Sequence, residues 1–344
     1  MTLRPWPPTP RALAPFFVDA AGLHILDQRA LPEREVIIDC GVGDDVVEAA
    51  ALAIETLAVR GAPAIGGAAA LALATWAQTT STSTTGPAFR QQLGKHVDRL
   101  ARTRPTAVNL FVACDAIRGA VDVDAVVAAA FAYVDADAAA CAAMGQAGAA
   151  LVEDGDVVIT ICHTGALATC GQGTALGVVK SARQQGKDVA VVALETRPLL
   201  QGARLTAWEC LKEGIPVTLI TDGMAAFALA RGVRGRRVRR AFVGADRIAL
   251  NGDTANKIGT FGLAVACAHH GIPFHVVAPR STFDDACADG AAIPIEERAA
   301  AEVRGVRGTQ TAPVDVDVWN PSFDVTPGAL IASFVSEAGV VSRR

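Results

Sequence analysis

The sequence has no excess of charge of one sign on which a polyanion could dock. Its 31 basic and 35 acidic residues are spread along the chain and leave a formal charge of −4, which argues against a nucleic-acid partner. Also missing is any CxxC pair or Cys/His ligand spacing among the eight cysteines, Cys40, Cys114, Cys141, Cys162, Cys170, Cys210, Cys267 and Cys287. That argues against a zinc site and a small disulfide framework, and leaves reduced thiols in a cytoplasmic protein as the expectation. The opening MTLRPWPPTPRALAPFF is broken by prolines before an apolar run of secretory length. The longest apolar stretch, about residues 62–77, is Gly/Ala-rich and too short for a membrane span, so no membrane partner is expected. Aromatics are scarce, at 5%.

What is present is an apolar, Ala- and Gly-rich composition, with 51% hydrophobic residues. It suits helices packed tightly against a sheet and not a disordered chain. A single core rarely grows past roughly 250 to 300 residues, so a chain of 344 residues is expected to form two domains. The expected fold is α/β, with a smaller α+β domain over 1–130 and a Rossmann-like, mainly parallel sheet domain over 131–344.

Within the first part, FFVDAAGLHILD and EVIID alternate around turn signals and predict a small antiparallel meander. Asp44 and Asp45 then cap a run with Val46, Ala50, Ile54 and Leu57 at helical spacing. Residues 79–87 read as a polar loop between helices, and Asp124 to Leu151 as one long Ala-rich helix. Beyond Asp156 short apolar strands are predicted near Val157–Ile161, Val189–Leu194, Val217–Ile220, Ala241–Val243 and Phe274–Val277, with helical text between them. This is βαβ rhythm. In such sheets ligands bind outside the carboxyl ends of the strands, which singles out Cys162, Glu195 to Arg197, Asp222, Asp246 and Pro279.

Three segments suggest anion binding. Arg60 and Gly61 precede Pro63 at a predicted helix start, and Arg104 precedes Pro105 in the same way; a helix N-terminus beside a guanidinium attracts anions. In NGDTANKIGT a helix is predicted from Asp253 or Thr254, which puts Lys257 in its first turn against the helix dipole unless a phosphate sits there too, with Asn256 as a neutral donor. Taken singly, each of these is also a common surface charge. The glycines of CHTGALATCGQGTALGVV lie too far past the strand for a dinucleotide fingerprint. Cys162 at that strand end reads either as buried packing or as a reactive thiol, and Asp222 and Asp246 as loop caps or catalytic carboxylates. Of the histidines, His163 lies beside the proposed site, while His269 and His270 end a helix.

Taken in order, RGAPAIG, RPTAVNL, the CxTGxLATxGxGTALGV pattern, ETRPLLQGARLTAWE, VGADRI, NGDxANKIGT, HHGIPF, IPIEER and NPSFDVTPGALI resemble the methylthioribose-1-phosphate isomerase family. That family sits in a larger group with ribose-1,5-bisphosphate isomerases and regulatory subunits of a translation-initiation exchange factor. The resemblance implies a step of methionine salvage, the conversion of 5-methylthioribose 1-phosphate to the ketose 1-phosphate. It implies Cys162 and Asp246 as the catalytic pair, and substrate contacts from Arg60, Gly61, Ala62, Arg104, Gln201, Asn256 and Lys257. Gln201 and Ala62 come from the resemblance alone, as does the expected homodimer.

This chain departs from the family pattern with His163 where Asn is expected, and with Gly223 where Ser or Asn is expected. Both keep a 5-deoxyribose 1-phosphate substrate open. The rivals are a ribose-1,5-bisphosphate isomerase and a non-catalytic sugar-phosphate-binding subunit. Asp246 is expected to be buried and to hold a proton for the ring oxygen, with Cys162 as base unless hydrogen moves as hydride. No metal or redox cofactor is needed, because oxidation at one carbon balances reduction at its neighbour. The site is expected in a cleft between the two domains.

Overall fold

The computed structural model describes residues 4–7, 13–80, 85–105 and 107–342. The chain divides into two compact units, one of residues 1–141 with 166–173 and the other of 142–165 with 174–344. The boundary expected at 130/131 and the division at 141/142 fall within the same helix.

The first unit opens with β1 (Phe16–Asp19), β2 (Gly22–Leu26) and β3 (Ile37–Asp39), an antiparallel meander in the order β1-β2-β3. Helices α1 (Asp45–Glu55), α2 (Ala62–Thr79), α3 (Gly86–Ala101) and α4 (Val108–Arg118) follow, then the long α5 (Val123–Ala149). Most of α2 is buried, because its Ala and Gly residues let neighbours approach on every side. Its Ala69, Leu71 and Trp76 share a core with Ile25, Ile54 and Leu110.

Two local expectations fail. Asp44 precedes α1 without capping it; its carboxylate accepts instead from the Trp76 indole at 2.8 Å. Arg104 does not stand at a helix start, since α4 begins only at Val108 and the Arg104 carbonyl closes a turn on the Ala107 N–H at 3.0 Å. A residue before proline is pushed away from helical backbone.

The second unit carries β4 (Val157–Thr160), α6 (Ala175–Gln184), β5 (Ala190–Leu194), α7 (Ala207–Lys212), β6 (Val217–Ile220), α8 (Ala225–Arg231) and β7 (Val238–Val243). Next come β8 (Arg247–Ala249), β9 (Thr254–Lys257), α9 (Thr260–His269), β10 (Phe274–Val277) and β11 (Phe283–Asp284). The chain closes with α10 (Ala301–Arg304), β12 (Gly305–Val306), β13 (Thr309–Gln310), β14 (Phe323–Thr326), β15 (Ser333–Ser336) and β16 (Gly339–Ser342).

Seven of these strands form one sheet in the order β16-β15-β10-β7-β4-β5-β6, parallel throughout except for β16 on β15. Taken from β4, the parallel strands run in the doubly wound order 3-2-1-4-5-6, which reverses between β4 and β7 and opens a crevice there. A second sheet, β11-β8-β9-β14, hangs on the connection after β7.

His275 on β10 is buried, stacked on Phe242 at 4.8 Å and bonded to Ser333 Oγ at 2.8 Å. Burial, helped by the charge of Arg240, pushes its pKa down to about 4. The folded chain therefore refuses a proton that the unfolded chain takes up, so stability is whole above the unfolded pKa of about 6.5. It should fall as pH drops from there towards about 4, by up to about 1.4 kcal/mol per pH unit for this one proton. His96, also held low by burial, adds to the same window. His275→Gln should remove one proton's worth of that slope in urea titrations at stepped pH; an unchanged slope would contradict the assignment.

Candidate active site

Cys162 and Asp246 follow β4 and β7, the two strands that flank the reversal of strand order. Cys162 is buried and holds a left-handed φ of 66°, as does Thr196 after β5. Such backbone costs about 1–3 kcal/mol per residue and persists only where the surroundings enforce it. Here they do. The Cys162 N–H donates to Thr196 Oγ1 at 2.8 Å, and its carbonyl accepts from Thr206 Oγ1 at 2.7 Å. Thr196 Oγ1 in turn donates to the Leu194 carbonyl at 3.0 Å. Asp222, after β6, accepts from the Thr196 and Arg197 N–H groups at 2.8 and 2.7 Å. Its carboxylate thus ties one strand-end loop to the next, the loop-capping alternative of the two open for it.

Behind Cys162 lies a buried chain of charge. The side chains of His163 and Glu209 are fully enclosed. His163 Nδ1 lies 3.1 Å from Thr206 Oγ1, and its Nε2 lies 3.1 Å from Glu209 Oε2, an ion-pair approach off the line of a hydrogen bond. Lys180 on α6 donates to Glu209 and to Glu213, each at 2.7 Å. Burial alone would raise the Glu209 carboxyl; the charges of Lys180 and His163 outweigh it and hold the group well below the usual carboxylate range. Burial would likewise lower Lys180, and the two glutamates keep it above its ordinary value. Gly165 leaves the room for this, since a Cβ there would overlap the Glu209 carboxylate.

Asp246 is exposed, with its N–H donating to the Ala255 carbonyl at 2.9 Å. The expectation that the protein buries it is corrected: it sits in the three-residue gap, Gly244 to Asp246, that leads out of the main sheet, and its side chain is exposed there.

The helix expected from Asp253 is the strand β9, and α9 begins only at Thr260. Antiparallel pairing with β14 and β8 takes up the backbone of residues 254–257, so tertiary pairing overrides the local helix signal. Lys257 therefore does not oppose the dipole; its Nζ donates to the Ser322 carbonyl at 2.7 Å and lies 4.6 Å from the Phe323 ring centre. The amides at the start of α9 already have an anion, because Asp324 accepts from Gly259 and Phe261 at 2.7 and 3.0 Å. Asn256 is buried, its amide donating to Thr260 Oγ1 at 3.0 Å.

Gln201 is buried where a π-helical turn, Gly202–Thr206, leads into α7, and its Oε1 has no hydrogen-bond partner among the described residues. A buried orphan acceptor demands an explanation such as a ligand. In the first unit Arg60 Nη1 is buried and equally unpartnered among the described residues. Gly61 and Ala62 follow it, with Pro63 in the first turn of α2 as expected. Gly61 has a φ of 100°, and a Cβ there would come within 2.5 Å of the Ala168 carbonyl oxygen, so only glycine fits. Arg104 is half-buried.

Sequence reasoning missed Lys180, Glu209 and Thr206, while Thr196 lay within the strand-end stretch Glu195 to Arg197 that it singled out. One signal was available: Lys180 interrupts the apolar run LGVVKSA of α6, and residues 175–182 of that helix are all buried.

Comparison with known proteins places this geometry in a family. The model of the Initiation factor 2 subunit family matches residues 58–343. The methylthioribose-1-phosphate isomerase of Anaeromyxobacter sp. (strain K) is 53% identical over 322 residues, covering 93% of this chain and 90% of that protein. The enzyme of the same name from Geobacter metallireducens is 48% identical and covers 92% of each. Among solved structures, 5-methylthioribose 1-phosphate isomerase from Pyrococcus horikoshii OT3 superposes with a TM-score of 0.89 at 40% identity, over 97% of this chain and 95% of that one. The translation initiation factor eIF-2B subunit delta from A. fulgidus gives 0.85 at 43% identity, over 96% of each. The chain belongs to the methylthioribose-1-phosphate isomerase branch of the Initiation factor 2 subunit family.

Proposed function

We propose that this chain is an aldose–ketose isomerase that converts 5-methylthioribose 1-phosphate to 5-methylthioribulose 1-phosphate, a step of methionine salvage. The observation that carries the reading is the placement of Cys162 and Asp246 after the two strands where the sheet order reverses, in a chain about half identical to enzymes of that name.

The phosphate ester on carbon 1 blocks the ring opening open to a free aldose, so the ring oxygen must be protonated as it leaves. Asp246 donates that proton. Since the protein leaves this carboxyl exposed, its protonated form is favoured only when substrate covers it, through lost solvation and the nearby phosphate dianion, both of which disfavour a second negative charge. Hydrogen then passes from carbon 2 to carbon 1, with Cys162 as base in an enediol route or as a wall of the pocket in a hydride shift. Arg60, Gly61, Ala62, Arg104, Asn256 and Lys257 hold the phosphate and orient carbon 1. Gln201 Oε1 accepts from a sugar hydroxyl, which would satisfy its orphaned oxygen.

The enzyme works as a homodimer in the cytoplasm. Eight free, buried thiols suit a reducing compartment, and the exposed apolar side chains of Leu219 on the edge strand and of Met224 and Phe227 in the segment that follows it suit a covering partner.

The test is turnover of 5-methylthioribose 1-phosphate by the purified chain, beside 5-deoxyribose 1-phosphate and ribose 1,5-bisphosphate. Ketose formation, fastest from the methylthio sugar, is expected. Binding of all three by folded protein without turnover of any would replace the enzyme by a binding subunit.

A further inference from the structure

We propose that His163 is a buried imidazolium, protonated on both ring nitrogens at neutral pH, and that it positions Cys162 through the Thr206 hydroxyl. The positioning half rests on the isomerase reading; the charge state does not.

The protons can be counted from the contacts. Thr206 has one hydroxyl proton. The Cys162 carbonyl, 2.7 Å away, can only accept, so that proton points to it. His163 Nδ1, 3.1 Å from the same oxygen, must then supply its own proton. If Nδ1 were bare, two lone pairs would face each other either there or at the Cys162 carbonyl. On the other side Nε2 stands 3.1 Å from a Glu209 oxygen, and even off the line of a hydrogen bond a nitrogen without hydrogen would leave two electron-rich atoms facing each other at that distance. Glu209 has no proton to lend, because Lys180 holds its second oxygen at 2.7 Å. Both ring nitrogens therefore carry hydrogen.

The charge balance agrees. Against the ring stand Glu209 from α7 and Thr206; behind Glu209 comes Lys180 from α6, and bonded to that lysine is Glu213 just past α7. Cys210 beside Glu209 is a thiol that burial pushes up to about 12, and it stays neutral. Lysine and two carboxylates sum to −1; a proton on His163 brings the cluster to zero, and an uncompensated buried charge is strongly disfavoured. The asparagine expected at this position by resemblance could donate to Thr206 but would bring no charge.

Through this chain the carboxylate fixes the ring, the ring fixes the lone pair of Thr206, and the hydroxyl has one direction left, towards the carbonyl that anchors the left-handed backbone of Cys162. His163 touches no reacting atom; it is a positioning residue.

The test uses the full chain labelled with 15N in its histidines. At pH 7.5 an unpaired histidine is about nine-tenths neutral. One of the six rings should nevertheless show two protonated nitrogens, and should vanish from the spectrum of His163→Asn. If that variant does not fold, the ring is assigned by elimination with the other five replaced singly. A bare nitrogen on His163 at this pH overturns the charge assignment. For positioning, His163→Gln and Thr206→Val should each lower kcat by about tenfold or more with KM within about twofold, and the double variant should be no worse than the poorer single one. Unchanged kcat, or losses that multiply, would overturn the positioning role. A parent chain without turnover would instead sink the isomerase reading, and the spectrum would still decide the charge.

Discussion

Asp246→Asn is expected to lower ketose formation by about 10²- to 10⁴-fold, the range for loss of a general acid in the transition state. The substitution keeps the shape of the side chain and removes the one proton the ring oxygen needs. Because Asp246 is exposed in a strand-to-strand gap, the change should leave unfolding in urea within about 0.5 kcal/mol of the parent. KM should move far less than kcat, since the phosphate contacts fall to other residues. A loss below threefold would remove Asp246 from the chemistry and turn attention to its neighbour Arg247.

Lys180→Met should cost about 3–5 kcal/mol of stability, the usual price of stripping one partner from a buried pair. Glu209 is fully enclosed and would lose the ammonium that faces it at 2.7 Å. The urea midpoint should fall while the slope with denaturant is unchanged. The sign with pH is also set. Glu209 titrates well below the ordinary carboxylate range in the fold, so its contribution is complete above the unfolded value of about 4.3 and is lost as pH falls through the lower folded value. Lys180→Met should weaken that acid dependence, and adding Glu209→Gln should recover part of the loss. A cost under about 1 kcal/mol would mean that water reaches the pair after all.

The central strands of the parallel sheet were legible because strands buried on both faces read as short unbroken apolar runs, as in residues 157–159 and 191–194. Lys257 misled because TANK followed by a Gly and an apolar run carries a helix-start pattern, while the partner that makes it a strand, β14, lies more than sixty residues on. Asp246 misled for a related reason: the end of a buried strand does not reveal whether anything covers the gap beyond it. The cluster around His163 was invisible as a cluster, since Lys180 and Glu209 come from separate helices and pair only after the sheet has formed. Gln201 and Ala62 carry no local signal at all, and only likeness to a family raised them.

Residues 166–173 belong to the first unit though the second surrounds them in sequence, so the chain changes unit at three junctions, 141/142, 165/166 and 173/174. That short strip supplies the Leu167 carbonyl that Gln28 donates to at 2.9 Å, and the Ala168 backbone on which Gly61 closes. A gene cut at any single junction leaves one unit incomplete: cut at 141/142 or 165/166 the first unit loses the strip, and cut at 173/174 the second loses residues 142–165. The two units are thus one heritable piece: a recombination that swaps one unit intact for a foreign counterpart must join the two genes at three places at once.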